Sequence, residues 1–567
     1  MAQLGKQATK FKPIIIDCET TSANPHEAKL LGVSMSQDLH TEWQDKATGF
    51  TFYHNLKAGN LIGQNIKYDM VVLKRHGFKI PKAYFDTQVA YYLLFIDHSR
   101  KLENMVKHVF GHSKDDLLTV YNKSTGEDRK HLPEDWYTKV NNNYLTTYAQ
   151  EDAYWTERLY HCLSDTLSAD VVLEYWFYTV EMPIVNILTE MELKGVKINR
   201  LKLEQLRDES RIKAKELEKK LRWLAGNVNL NLNSPLQLRE LLYKQYRLPK
   251  LDKTETGEPS TDKATLKRLA AYHAFPKLLL EYREIEKVLS TYTDNILDRL
   301  DSNNRLHTIF NQTLTNTRRF SSDSPNLQNI PTRSAIGKQV KECFVPEAGC
   351  TFLIADYSQL EPRILAHLSN DKTLVDVYKN NEDIYLRAVE ICKQKGKLIT
   401  RDQAKILMLS LMYGKTPYGL AKDFNCTQEE AKEIIDAVLH ALKGVDEYIQ
   451  WCAEEVIKTK GWMKTIAGLP LFVGNPFTSN KAEYYQVLRC AVNYPIQGSS
   501  QDILKTSMVR IYNEFKHCPV LTVHDELVYE LETSACNPEG VVHLMETAWN
   551  LKVPLKVEWK MSDKWEK

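Results

Sequence analysis

The alternation of apolar and polar positions breaks sharply between Leu353 and Ser369, where the chain reads LIADYSQLEPRILAHLS. The first three residues are apolar and predict a short core strand, which a polar turn and a helix follow at once. The carboxylate of Asp356 would therefore emerge where a buried strand ends. We interpret this segment as the floor of an active site.

A second apolar run lies far downstream, from Pro519 to Glu530, and reads PVLTVHDELVYE. It has strand character but is interrupted by His524, Asp525 and Glu526. Taken alone, this triplet is typical of a solvated hairpin turn. Together with Asp356 it suggests another interpretation, because two carboxylates on neighbouring strands can share two divalent metal ions about 3.5–4 Å apart in phosphoryl transfer. Oxygen ligands of this kind favour Mg²⁺.

Near the N-terminus, the apolar strand IIIDCE carries Asp17 and Glu19, which stand two residues apart and point to the same face. This pattern is common, and alone it is more typical of a charged strand end. Two helical segments follow it: GQNIKYDMVVL contains Asp69, and TYAQEDAYW contains Tyr148 and Asp152 at i and i+4. The strand face could hold a metal ion, and the resemblance described below favours that interpretation.

The segment ITRDQAKILMLSLMYG, residues 399–414, predicts a helix. It places Arg401, Lys405, Leu409 and Tyr413 four residues apart along one flank. An Arg and a Lys one turn apart can bind a triphosphate. The alternative is an ordinary basic helix face in contact with solvent.

Between residues 175 and 223 the pattern predicts two further helices. The first is amphipathic and ends near Gly195, which suits a helix C-cap. The second, RLKLEQLRDESRIKAKELEKKLRW, has apolar residues at helical spacing and an excess of Lys and Arg. Such a charge run is usually a solvated helix face, although it can also hold the phosphate backbone of a duplex. Two short helices are expected to follow within 233–243 and 260–269.

Composition narrows the class of protein. A chain of 567 residues should hold roughly two to four domains. The 75 Lys and Arg residues nearly balance the 73 Asp and Glu residues, so a site for nucleic acid must be a local patch. The ten cysteines form no CxxC pair, which argues against zinc and against a disulfide framework. Neither a signal-peptide core nor an apolar run of about 18 residues is found, so we expect a cytoplasmic protein without a membrane anchor.

Three motifs in order, DYSQLEPR, RDQAKILMLSLMYG and VHDE, resemble the polymerase motifs of family A DNA polymerases. The acidic residues near the N-terminus, with Tyr148, resemble the DEDD-type 3′–5′ exonuclease domain, tyrosine variety, that precedes the polymerase in this family. The resemblance implies an α/β exonuclease domain with an RNase H-like mixed sheet and an α+β right-hand polymerase. The implied domains are the exonuclease 1–172, the thumb 173–300, the first part of the palm 301–372, the fingers 373–484 and the second part of the palm 485–567.

The resemblance also implies residue roles. In the exonuclease, Asp17, Glu19, Asp69 and Asp152 would hold metal ions, and Tyr148 would orient the attacking water. In the polymerase, Asp356 and Asp525 would hold metal ions with support from Glu526, and Lys405 would protonate the pyrophosphate leaving group. The implied nucleotide-binding residues are Arg401, Lys405, Tyr413, Glu361, Tyr385, Gln359 and Leu409. The implied DNA-binding residues are Arg319, Arg489, Asn493, Gln497 and His524. Two Mg²⁺ ions per active site are implied, for which Mn²⁺ can substitute.

Three positions depart from the family pattern. Leu409 replaces a Phe or Tyr, so no ring can stack there and the response to dideoxynucleotides cannot be carried over. Tyr385 replaces a His and can donate a hydrogen bond but cannot be cationic. Arg318 stands where the family has Gly. Within the same motifs, Glu361 is the residue that the family uses to exclude a ribose 2′-hydroxyl, and Arg363 is expected to pair with a carboxylate.

The implied function is a DNA-directed DNA polymerase with proofreading exonuclease activity. Primer–template DNA and dNTPs are the expected partners, a helicase and a single-strand-binding protein are further candidates, and a monomer is expected. Because the chain begins at the exonuclease rather than at a 5′ nuclease, we expect a phage or mobile-element replicase, which would act in the host cytoplasm. The alternatives are a 3′–5′ exonuclease whose polymerase is weakened or inactive, and a non-catalytic DNA-binding scaffold.

Overall fold

A computed structural model describes residues 12–566 except 58–59, 255, 332–333 and 415. The chain divides into two compact units. The first unit contains Met1–Lys194, Ile309–Asp323 and Leu353–Met561. The second unit contains Gly195–Thr308, Ser324–Phe352 and Ser562–Lys567.

The N-terminal part of the first unit is built on a five-stranded mixed sheet in the order β3-β2-β1-β4-β5. Its strands are β1 (Ile14–Thr20), β2 (Leu30–Gln37), β3 (His40–Asp45), β4 (Leu61–Gly63) and β5 (Phe85–Asp86). The central strand β1 pairs antiparallel with β2 and parallel with β4. The accompanying helices are α1 (Ile66–Arg75), α2 (Thr87–Leu94), α3 (Leu102–Phe110), α4 (Leu117–Thr125) and α5 (Asn142–Ser168), with 3₁₀ turns at Phe52–Asn55 and Trp136–Thr138. The predicted mixed sheet is confirmed.

A long helical segment follows. It consists of α6 (Val171–Trp176), a π-helical segment (Phe177–Glu181) and α7 (Met182–Lys194). By length and mean hydropathy alone, Val171–Lys194 could cross a membrane, the one such helix in the described part of the chain. Most of its apolar stretch is buried in the protein, and Glu181 and Glu192 are buried within it. Core packing therefore explains its composition.

The second unit has its own core around the 25-residue helix α8 (Arg200–Leu224). Asn199 caps this helix, which buries Leu217 and Leu221 in the same cluster as Leu238 and Phe275. Gly195, at φ +61°, ends α7 as expected. The elements from here to residue 341 are β6 (Val196–Lys197), α8 (Arg200–Leu224), α9 (Pro235–Arg239), a π segment (Glu240–Gln245), α10 (Lys263–Leu269), α11 (Ala274–Val288), a second π segment (Leu289–Thr293), α12 (Asp294–Asp298), β7 (Arg305–Leu306), β8 (Ile309–Asn311), β9 (Ser321–Asp323) and α13 (Ala335–Lys341). The predicted helices are confirmed.

The C-terminal part of the first unit contains a four-stranded sheet in the order β13-β14-β10-β15. These strands are β10 (Cys350–Tyr357), β13 (Pro519–Val523), β14 (Glu526–Glu532) and β15 (Val557–Ser562), and a small β11 (Trp462–Lys464) and β12 (Pro470–Phe472) pair lies apart from them. The helices are α14 (Leu360–Ser369), α15 (Lys372–Lys379), α16 (Ile384–Gln394), α17 (Arg401–Met412), α18 (Pro417–Phe424), α19 (Gln428–Ala441), α20 (Lys443–Lys458), α21 (Lys481–Phe515) and α22 (Pro538–Glu546).

Residues 489–505 belong to one 35-residue helix, α21, which continues through Pro495. Both sides of this stretch pack into the core, so tertiary contacts compensate for the backbone hydrogen bond that a proline removes.

A buried ion pair connects α21 with the π segment of the first unit. Nζ of Lys505 lies 2.9 Å from both carboxylate oxygens of Glu181, and their side chains are 1% and 0% exposed. The side chains of Gln312 and Trp176 also donate to Glu181. Burial alone would raise the pKa of Glu181, but Lys505, Arg318 and the Gln312 side chain hold it below its usual value. The pair is fully enclosed, so removing one partner would leave the other as an unpaired buried charge.

We predict that Lys505→Met lowers the free energy of unfolding by about 3–5 kcal/mol, because Glu181 would remain buried without its cation. The urea-unfolding midpoint measures the change. Lys244→Met is the matched control, since Lys244 pairs with Glu240 on the surface and should shift the midpoint little. Equal midpoints for both variants would contradict the role of the buried pair.

Candidate active sites

Three carboxylates converge on one face of the N-terminal sheet. Asp17 and Glu19 lie on β1 and Asp152 lies on α5, and one ligand atom of each lies within 4.8 Å of the others. Asp69, on α1, is held beside the same strand because the backbone N–H of Cys18 donates to its Oδ1 at 2.9 Å. The strand period of two and the i, i+4 helix spacing thus bring the predicted residues together.

Burial and mutual repulsion change the protonation of this cluster. Burial, with the charge of Asp152, raises the pKa of Glu19 to about 8. Burial likewise raises the pKa of Asp69 to about 8, although the Cys18 N–H opposes it. The pKa of Asp17 is also raised well above its ordinary value, by burial and by Asp152 and its other acidic neighbours. The folded site therefore disfavours its full negative charge until further positive charge, such as a divalent ion, is bound.

Two side chains complete this site. Tyr148 lies one helical turn before Asp152 on α5, as predicted, and is half-buried. Lys114, in the loop between α3 and α4, forms an ion pair with Asp152, and its Nζ lies 4.1 Å from the centre of the Tyr148 ring. The sequence reasoning missed Lys114. Its segment, SKDDLL, carries no periodic signal that would distinguish it from a surface loop.

The second site lies where β10 meets the β13–β14 hairpin. Val523 pairs with Glu526, so His524 and Asp525 form a two-residue turn, with His524 at φ +56°. The backbone N–H of Tyr357 donates to the carbonyl of Asp525 at 3.2 Å. Asp525 is thereby fixed beside Asp356, the residue before Tyr357. The triplet forms a hairpin turn, and it also brings the two carboxylate residues together.

Glu526 and His524 flank this pair differently. Glu526 begins β14 and is 3% exposed, whereas the side chain of His524 is exposed. The strand β14 buries Glu526, whereas the turn leaves the side chain of His524 at the surface.

Glu361 is held by two residues of the predicted set. It lies in the first turn of α14 and is buried. The hydroxyl of Tyr413 donates to its Oε2 at 2.7 Å, and Arg319 forms an ion pair with its Oε1. Burial and the nearby carboxylate raise the pKa of Tyr413, so this hydroxyl remains a donor. The Glu361 carboxylate is therefore fixed from both sides.

The neighbouring Arg318 has φ +62°, the left-handed backbone that a glycine adopts readily. Its side chain is 1% exposed, lies over the ring of Tyr92 at 5.3 Å and donates to the carbonyl of Pro470 at 2.9 Å. The backbone geometry that Gly allows is thus retained with an arginine.

The polar flank of α17 is confirmed, although the helix ends at Met412 and Tyr413 is its C-cap. Arg401 forms an ion pair with Asp383 and lies over the ring of Tyr385 at 5.3 Å. Tyr385 is 5% exposed, whereas Lys405 is exposed one turn along the helix. Leu409 is half-buried and packs against the core.

Two residues near the start of α14 have local partners. Gln359 precedes the helix with φ +54° and accepts a hydrogen bond from Tyr378 at 3.0 Å. Arg363 was expected to pair with a carboxylate, and this is wrong. Its guanidinium donates to the carbonyls of Ser358 and Pro554 and lies over the Tyr378 ring, because its charge is buried among backbone acceptors.

Three predicted DNA-binding residues share one flank of α21. Arg489 donates to Gln486 and its aliphatic part covers Gly414, where an added Cβ would approach Arg489 Cγ to 2.7 Å. Asn493 is buried and Gln497 is half-buried. The continuous helix therefore keeps these residues on one flank along about two turns.

The chain thus combines an α/β domain on a mixed sheet with an α+β region, and each part brings carboxylate residues together. Residues 200–567 match the family model for DNA polymerase family A, and residues 1–168 match the 3′-5′ exonuclease model. The chain belongs to DNA polymerase family A, and the predicted fold class is confirmed.

Comparisons with individual relatives agree with this family assignment. The chain is 32% identical to DNA polymerase I of Borreliella burgdorferi, covering 98% of this chain and 62% of that protein. It is 34% identical to DNA polymerase I of Pseudomonas aeruginosa, covering 99% and 64%. The chain thus spans about three-fifths of the length of these curated relatives. It also resembles the solved POL domain of Pol1 from M. smegmatis in complex with DNA primer-template and dNTP, with a TM-score of 0.85 and 26% identity over 98% of this chain and 95% of that one.

We predict that the metal-free protein loses stability as the pH rises from about 5 to 8. The raised pKa values of Glu19 and Asp69 mean that the folded state binds more protons than the unfolded state until the pH passes about 8. Their contribution to stability is present below their ordinary pKa and is lost as the pH rises through 8. Thermal unfolding in EDTA measures the decline, which should be shallower in Glu19→Gln.

Glu134→Gln serves as the control because Glu134 is exposed and outside the cluster. If the unfolding temperature of Glu19→Gln falls with pH as steeply as that of the unmodified protein, the pH dependence does not come from this site.

Proposed function

We propose that this chain is a DNA-directed DNA polymerase that extends a primer from dNTPs and proofreads with a 3′–5′ exonuclease. The observation that carries the proposal is that two separate carboxylate sites are assembled in a chain of family A. Both sites consist of oxygen donors, the ligands that Mg²⁺ and Mn²⁺ prefer, so the residues fit such ions. When bound, divalent ions would activate the attacking oxygen and stabilise the leaving oxygen.

In the polymerase site, Asp356 and Asp525 are proposed to hold two Mg²⁺ ions, with Glu526 in support. The primer 3′-hydroxyl attacks the α-phosphate of the dNTP and pyrophosphate leaves. Exposed Lys405 donates a proton to that leaving group, and Arg401, at the first turn of α17, binds the phosphates together with the helix N-terminus. The Asp383 carboxylate that now pairs with Arg401 would yield it to the triphosphate.

Substrate choice is assigned to the residues around Glu361. Its fixed carboxylate would clash with a ribose 2′-hydroxyl, while Tyr385, Gln359 and Leu409 line the nucleotide. The primer–template would lie along Arg489, Asn493 and Gln497, with His524 near the primer terminus. The guanidinium of Arg319 pairs with Glu361 in this structure. When DNA binds, Arg319 would leave Glu361 and contact the minor groove.

In the exonuclease site, Asp17, Glu19, Asp69 and Asp152 are proposed to hold the ions. Tyr148 orients the water that attacks the terminal phosphodiester, which releases a nucleotide. The domain bounds 1–172, 173–300, 301–372, 373–484 and 485–567 are part of this proposal. So are the cytoplasmic location, the monomeric state and the helicase and single-strand-binding partners.

The test separates the two sites. Asp525→Ala should abolish extension of a labelled primer but spare its shortening, and Asp17→Ala should do the reverse, because each removes one ligand of one site only. Glu532→Ala, an exposed acid on the same hairpin strand, and Glu42→Ala, on β3, are the controls. Loss of both activities in either single variant would refute two independent sites. Absence of extension in Asp17→Ala would favour the exonuclease with an inactive polymerase.

A second prediction concerns sugar selectivity. The ratio of kcat/KM for dNTP over rNTP should fall about a hundredfold in Glu361→Ala. It should fall about tenfold in Tyr413→Phe, because a hydrogen bond to a charged carboxylate contributes about 1.5–3 kcal/mol. Tyr418→Phe, an exposed tyrosine on α18, is the matched control. Unchanged selectivity in Glu361→Ala would show that this residue is not the barrier to ribonucleotides.

A further inference from the structure

The exonuclease carboxylates enclose a lysine that the proposed reaction does not use. The side chain of Lys114 is only 2% exposed, and its Nζ forms an ion pair with Oδ1 of Asp152. The same ammonium lies 4.1 Å from the centre of the Tyr148 ring and donates to the carbonyl of Asp115 at 3.1 Å. A lysine is almost never this buried unless it is paired. The site therefore contains a cation of its own.

The position of this cation matters because Asp152 belongs to the convergent cluster with Asp17 and Glu19. Several carboxylates in a buried place repel one another, and the fold tolerates them only when positive charge compensates them. In the metal-free protein, Lys114 supplies that charge at one corner of the cluster.

The ammonium also acts on geometry. It contacts both residues that α5 contributes to the site, Asp152 by an ion pair and Tyr148 by a cation–π interaction. Each contact limits the rotamers of its partner. Asp152 and Tyr148 are thus held in place before any metal binds.

We propose that Lys114 is a positioning residue whose ammonium occupies part of the cation-binding position at Asp152 in the metal-free protein. It competes with the divalent metal ion for that position. The inference rests on the proposed exonuclease site. A divalent ion that approaches the cluster meets a like charge on one of its ligand oxygens, so Lys114 must withdraw or the ion binds less tightly. Lys114 therefore lowers the metal affinity of the site while stabilising its metal-free form.

The test measures metal binding directly. In the full chain carrying Asp356→Ala and Asp525→Ala, which removes the polymerase ligands, Mn²⁺ binding is followed by calorimetry and by the electron paramagnetic resonance signal of free Mn²⁺. Lys114→Met keeps the length of the side chain without its charge and should bind Mn²⁺ at least tenfold more tightly. In EDTA its unfolding temperature should be lower than that of the parent, and the rise on adding Mn²⁺ should be larger.

Two variants separate charge from packing. Lys114→Arg keeps the cation and should bind Mn²⁺ with near-parental affinity. Lys123→Met removes an exposed lysine that pairs with Asp115 and should change neither quantity. If Lys114→Met does not fold, Lys114→Gln is measured in its place with the same expectation.

Affinity that is unchanged or weaker in Lys114→Met, or in its substitute, would overturn the inference. If the parent itself shows no Mn²⁺ binding that Asp17→Ala removes, then the proposed exonuclease site is wrong and the competition falls with it. These two failures are distinct, because the second appears before any substitution of Lys114.

Discussion

Repulsion among the clustered carboxylates Asp17, Glu19 and Asp152 is the constraint that shapes the candidate metal site of the N-terminal sheet. Like charges at a few ångströms destabilise a folded protein unless cations or hydrogen-bond donors compensate them. Rigid elements must therefore hold Asp17, Glu19 and Asp152 together against that repulsion. The central strand of the mixed sheet and the 27-residue helix α5 provide this rigidity. A bound metal ion would relieve the repulsion among the carboxylates, so the repulsion favours metal binding.

The proposed polymerase site balances its charges differently. Asp356 lies near the end of β10 and Asp525 lies in the turn between β13 and β14, and a backbone hydrogen bond joins the two segments. The nearby carboxylate of Glu361 is compensated by an ion pair with Arg319 and by a hydrogen bond from Tyr413. Glu361, which we propose selects the sugar, is thereby held before a nucleotide arrives, and this reduces the free-energy cost of ordering it during binding.

Local periodicity explains how much of this could be predicted from the sequence. Asp17 and Glu19 share a face because strands repeat every two residues, and Tyr148 and Asp152 share a face because helices repeat every 3.6. The parts that escaped prediction depend on contacts between distant segments. Lys114 comes from an irregular loop, Arg363 satisfies its charge with carbonyls 5 and 191 residues away, and α21 continues through Pro495 because the core supports it. No spacing in the sequence encodes such contacts.

The most direct test of the account is a crystal of the full chain with primer–template DNA grown in Mn²⁺, with diffraction recorded at a wavelength where manganese scatters anomalously. The account predicts anomalous peaks beside Asp17, Glu19 and Asp152, and separate peaks between Asp356 and Asp525. Peaks at neither carboxylate set in crystals of a protein that still extends a primer would contradict it.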